Sequence, residues 1–180
     1  VLARLTFDQT WILLYIFRQA QRIHGMERIM KTISGWLDEY SDSHQNKTNK
    51  LIHWVCVPTI YFSIIGIIAH FSALLTALLL ALAFIFYARL DIVLAVAMAA
   101  LTLIMAWLIW ILPVGAGFYV GLFVFAWIGQ FYGHKVEGKK PSFFKDLKFL
   151  LIGPIWCMDA YLAKVAPSWK SRQIRDIKSI

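Results

Sequence analysis

The middle of this chain has almost no charge. Between Leu51 and Tyr132 the only Asp, Glu, Lys or Arg residues are Arg89 and Asp91. A water-soluble bundle needs a charged face on each surface helix, and none can be drawn through this block. Cysteine is scarce as well. Cys56 and Cys157 both lie in apolar surroundings, so no disulfide framework is implied and both read as small packing residues. There is no Walker phosphate loop, dinucleotide fingerprint, nucleophile elbow or paired-cysteine metal motif, and no internal repeat.

Hydrophobicity is abundant: 60% of the 180 residues, against roughly 45–50% in soluble domains. Mean hydropathy is +0.65, and lipid is the solvent that fits. All but one of the 18 basic residues and all but one of the 10 acidic ones lie outside the apolar block. The net charge of +8 would suit nucleic acid. However, no basic helix stands free of the apolar spans, and Lys and Arg flank them as retention at a membrane face predicts. Nucleic acid is therefore not an expected partner.

Hydrophobic periodicity and turn formers predict an all-α polytopic membrane bundle, with about four transmembrane helices and additional interfacial helices. The spans are expected over 51–70, 72–87, 92–112 and 116–132. Ile33, Trp36, Leu37 and Tyr40 mark an amphipathic surface helix before them, and Asn46 or Thr48 is placed to cap the first span. A further apolar stretch, 149–163, is interrupted by Gly153-Pro154 and limited by Asp159, so it reads as a surface or re-entrant segment. Residues 1–29 read as an N-terminal extension, either an interfacial helix or a non-native addition, with Met26 and Met30 as natural starts. Residues 30–163 form the membrane domain and 164–180 a basic tail. The turns near 71 and 114 carry no charge, whereas the ends and the 89–91 hinge do, which puts both termini on the cytoplasmic side.

Counting spans brings three of the five histidines to one membrane face: His44 before the first span, His53 in its first turns, and His134 just past the fourth. Imidazoles there serve as metal ligands, proton relays or hydrogen-bonded structural groups. Asn49 shares a helix face with His53, and Gln130 points the same way as His134. Glu137, a turn further on, offers a carboxylate. Asn49, Gln130 and Glu137 are thus the candidate catalytic groups. Three imidazoles with an oxygen ligand suit iron or zinc. His24 and His70 do not share the placement and read as interface residues. Gly117 with Gly121, and Gly129 with Gly133, form two small-xxx-small pairs for close helix packing, within the bundle or between copies in a homo-oligomer.

The segment from His44 through Asn49 and His53 to Pro58 resembles the H-x4-N-x3-H-x4-P signature of a family of small four-span membrane proteins. Residues 127–134, with Glu137 and Pro141, resemble its second signature, and Gly153-Pro154 its third. The resemblance covers about Trp36 to Tyr161. Characterised fungal members are iron(II)-dependent dioxygenases of the endoplasmic reticulum that shorten 2-hydroxy fatty acids by one carbon in alpha-oxidation. The resemblance therefore implies Fe(II) held by His44, His53 and His134, with a membrane fatty acid and molecular oxygen as reactants. The membrane would be the bacterial inner membrane or, in a eukaryote, the endoplasmic reticulum. Five histidines cannot build the di-iron site of the histidine-box hydroxylases, which needs about eight. The competing class is a non-catalytic membrane scaffold or small transporter subunit with structural histidines, and metal analysis separates the two.

Overall fold

The computed structural model describes residues 33–144, 147–166, 168 and 169. The expected 1–29 extension with His24, both candidate start methionines and most of the 164–180 tail lie outside the described residues. Those residues contain six α-helices, one 3-10 turn and no strand. The helices are α1 (Ile33–Asp42), α2 (Lys47–Phe71), α3 (Ala73–Leu90), α4 (Ile92–Ile111), α5 (Ala116–Glu137) and α6 (Phe149–Val165). The 3-10 turn, Ser142–Phe144, precedes α6. Helices α2 to α5 are the four that are long and apolar enough to cross a membrane. The 25 residues of α2 rise roughly 37 Å, more than the ~30 Å of a hydrocarbon core. Large apolar side chains stand exposed on the outer faces, Leu103, Trp110 and Phe125 among them, as a lipid-facing surface requires.

Single residues join α2 to α3 and α3 to α4, and each caps the helix it starts. Ser72 Oγ accepts from Leu75 N, and Asp91 Oδ1 accepts from Val93 N and Leu94 N. Helix α3 continues through Arg89 to Leu90, so the expected 89–91 hinge shrinks to Asp91, and two further helices outrun their apolar stretches. Helix α2 begins at Lys47, because Asn46 Oδ1 accepts from Thr48 N and Asn49 N. Helix α5 continues through His134 to Glu137 and stops only at Gly138, whose φ of 72° lets the chain leave in a left-handed turn. Both extensions are polar, so hydropathy missed them. His53 lies inside the first span, as expected, and the extension of α5 brings His134 inside a helix as well.

Helix α2 is the axis of the bundle, and α5 lies along it in the most extensive contact of the fold. Glycine permits that approach. A Cβ at Gly129 would fall 2.6 Å from Cys56 Sγ, and one at Gly133 would meet Asn49 Oδ1. Gly117 and Gly121 behave differently: a Cβ at either meets nothing within 4 Å, so among the described residues they pack against no other helix. Helix α6 packs on α1, α2 and α4, with Ile152 and Ile155 fully buried against Leu37, Tyr40 and Met98. It runs unbroken through Pro154 rather than stopping there: the proline forgoes one backbone hydrogen bond, and Gly153 and Pro154 are both buried in the packing of α6. A Cβ at Gly153 would come within 3.0 Å of the Tyr40 hydroxyl, so this glycine sets how closely α6 seats on α1.

Candidate metal centre

His44 lies in the four-residue link between α1 and α2, and that link is tied down from both sides. Glu137, at the end of α5, accepts from Gln45 N (2.9 Å) through Oε1. Its Oε2 accepts from Asn46 N (2.8 Å) and from Asn49 Nδ2 (3.1 Å). Lys139 donates to the Asp42 carbonyl at 2.6 Å. On the other side the Tyr40 ring stacks on His44 with centroids 4.2 Å apart, and Trp156 donates to Ser41 Oγ at 2.8 Å. The sequence offered no signal for Tyr40 and Trp156 beyond an apolar stripe. Both shape the site.

The three histidines predicted from topology meet. His44 and His53 are fully buried, His134 nearly so, and their potential ligand nitrogens lie within 4.8 Å of one another. Two of the rings have fixed tautomers. His44 Nδ1 faces the Tyr40 carbonyl at 2.6 Å, and His53 Nδ1 faces the Asn49 carbonyl at 3.0 Å. A carbonyl oxygen only accepts, so each Nδ1 carries the hydrogen and each Nε2 presents a lone pair. His53 Nε2 stands 3.1 Å from His134 Nε2, and His44 Nε2 is buried with no partner among the described residues. Burial also drives the His44 pKa down to about 4, against the pull of the Tyr40 carbonyl, so the ring is neutral near pH 7.

Converging lone pairs repel unless a proton or cation lies between them. A cation bound by nitrogens at about 2.0–2.1 Å places neighbouring ligand atoms roughly 3.0–3.4 Å apart, so the 3.1 Å pair fits ligands of one ion. The backbone carbonyls behind His44 and His53 are the outer contacts that orient ligating imidazoles. The residues present fit a transition metal.

Among the other candidates, Asn49 is fully buried. Its backbone carbonyl orients His53, and its side-chain amide bridges Ser43 O and Glu137. Gln130 is buried beside the His53 ring and faces a cavity. The Glu137 carboxylate is directed at the 45–49 segment. His70 stays apart, at the other end of α2, with its ring nitrogens by the carbonyls of Gly66 and Val114.

Beside the histidines a cavity of about 470 Å³ opens, reached by His134, Gln130 and Tyr40 and otherwise walled mainly by apolar side chains of α2, α3, α5 and α6. Its size is within the roughly 300–1,000 Å³ of small-molecule sites.

Residues 30–165 match the family model described as 2-hydroxy-palmitic acid dioxygenase Mpo1-like. The chain is also 34% identical over 134 residues to the 2-hydroxy-palmitic acid dioxygenase MPO1 of Saccharomyces cerevisiae, covering 70% of this chain and 77% of that protein. No solved structure gives a significant match.

Proposed function

The chain belongs to the 2-hydroxy-palmitic acid dioxygenase Mpo1-like family, and on that premise we propose that it is a membrane-embedded, iron(II)-dependent dioxygenase that shortens 2-hydroxy fatty acids by one carbon. The functional unit is the 30–163 membrane domain. Both of its ends face the cytoplasm, at the bacterial inner membrane or the endoplasmic reticulum. The observation that carries the metal assignment is the pair of tautomer-fixed, buried imidazole lone pairs of His44 and His53 turned toward the third ring, His134.

His44, His53 and His134 would hold the ion. Iron(II) with three neutral ligands keeps its charge and open positions, so it would attract a carboxylate and bring acid and oxygen together. The chain supplies the rest. Asn49 and Tyr40 fix two of the rings through their backbone carbonyls. Glu137 is a positioning residue that ties the His44 segment to α5. Gln130, the polar side chain between histidines and cavity, meets the substrate's headgroup oxygens. Exposed Lys135 and Lys140 near the end of α5 draw an anionic headgroup toward this face of the membrane.

Metal analysis and turnover test the reading together. Purified protein should carry about one iron, or a competing transition metal, per chain, and consume oxygen only when given a 2-hydroxy fatty acid. His44→Ala, His53→Ala and His134→Ala should each lose metal and activity, whereas His70→Ala should keep both. Full metal occupancy in all three single variants would falsify the site. A metal-free, inactive wild type would return the histidines to a structural role in a scaffold.

A further inference from the structure

We propose that the cavity beside the histidines is the acyl-chain site and that Ile68 and Thr76 at its far end set the longest chain the protein accepts. The proposal rests on the reading of the protein as a 2-hydroxy fatty acid dioxygenase. It adds where the chain lies, how it enters and what limits it.

The cavity has two chemically different ends. Its near end is reached by His134, Gln130 and Ser142, and its far end by Ile68 of α2 and Thr76 of α3. Toward the histidine end two lining groups have hydrogen-bonding capacity unused among the described residues: Ser142 Oγ is buried without a partner there, and so is Trp127 Nε1. An indole N–H only donates and a serine hydroxyl can donate, which suits an oxygen-rich, acceptor headgroup. At the far end the Thr76 hydroxyl is already committed to the Ser72 carbonyl at 2.9 Å, and Ile68 is apolar. One end is therefore equipped for a polar head, and the other closes without offering it anything.

The dimensions agree. From His53 to Ile68 is 15 residues of one helix, a rise of roughly 22 Å. An acyl chain filling one leaflet covers about half of a ~30 Å hydrocarbon core, so it fits within that run. A side entrance is present too. Helix α5 packs chiefly on α2, and α3 packs on α2 and α4 but not closely on α5. The cavity lies in the opening between α3 and α5, bordered by Leu79 and Phe123. A fatty acid already in the bilayer can slide in there tail-deep, with its carboxylate staying at headgroup level.

Because the chain arrives from hydrocarbon, burying it in an apolar cavity yields little net free energy. Selectivity should then appear as an upper limit on length, where the tail meets the floor, and not as a steady gain per methylene. The test is displacement of radiolabelled 2-hydroxypalmitate from the protein in phosphatidylcholine nanodiscs, using saturated 2-hydroxy acids of 12 to 24 carbons. Wild type should show level displacement up to a cut-off and a tenfold or greater fall beyond it. Ile68→Trp and Thr76→Trp should both move the cut-off to shorter chains, and Ile68→Ala should move it to longer ones, all with wild-type metal content. An unmoved cut-off in metal-replete variants would overturn the proposal. So would a wild type with no cut-off, or displacement by excess phosphatidylcholine alone, since the cavity would then be filled by bulk lipid. Binding requires no turnover. A protein that measures chain length but consumes no oxygen would sink the dioxygenase reading and leave this one standing.

Discussion

Replacing Gly133 with alanine probes the contact on which the three-histidine cluster depends. The added Cβ would run into Asn49 Oδ1 and lie 3.4 Å from Ile52 Cγ2. Two routes relieve the clash. Rotating the Asn49 side chain breaks its bonds to Ser43 O and Glu137 Oε2, a loss of about 2–4 kcal/mol, since one of them is to a charged acceptor. Moving α2 away from α5 costs about 1–3 kcal/mol, as overpacking usually does. The cheaper route sets the outcome, about 2 kcal/mol. Exchanging glycine for alanine inside a helix returns roughly 1 kcal/mol, so the net loss is about 1 kcal/mol. For a chain of this size that lowers the melting temperature by roughly 2–4 °C. Either route also disturbs the residue whose carbonyl orients His53, or the spacing of His53 from His134, so metal affinity should fall at least tenfold. Gly121→Ala is the control. Its Cβ meets nothing within 4 Å, so only the helix-propensity gain remains and the melting temperature should hold or rise. Thermal unfolding in detergent and metal titration of both variants decide the matter. If Gly133→Ala melts with Gly121→Ala and binds metal like wild type, the close approach of α2 and α5 does not organise the site.

Two further substitutions separate positioning from general stability. Glu137→Gln keeps the shape but replaces one acceptor oxygen with a donor. At least one N–H from the 45–49 segment then loses its acceptor, at about 1–3 kcal/mol, and metal affinity should drop with stability in the same titration. Asp91→Ala removes the cap of α4, a helix that contributes none of the three histidines or their hydrogen-bond partners. It should cost about 1 kcal/mol in unfolding while metal content stays at the wild-type level; a parallel loss of metal would mean that the centre responds to any weakening of the bundle.

Hydropathy determined the architecture directly. With Arg89 and Asp91 as the only charges between Leu51 and Tyr132, four apolar helices were the single arrangement that avoided burying unpaired charge or exposing bare helix to water. Span counting, together with the His44–His53 signature, also identified the three histidines, because an even number of crossings returns the ends of α2 and α5 to one side. Hydropathy could not set where those helices end, since the turns carrying Asn49 and Gly133-His134 are polar. A side-chain cap at Asn46 and a left-handed glycine at 138 decided those boundaries. Nor could spacing alone divide the glycines. Gly129 and Gly133 look like Gly117 and Gly121 on a helical wheel, and only the position of α2 against α5 gives the first pair its role. The tautomers of His44 and His53, the Tyr40 stack and the cavity beside His134 all arise between segments distant in sequence. Those contacts exist only once the helices have packed, so the tertiary structure alone could decide them.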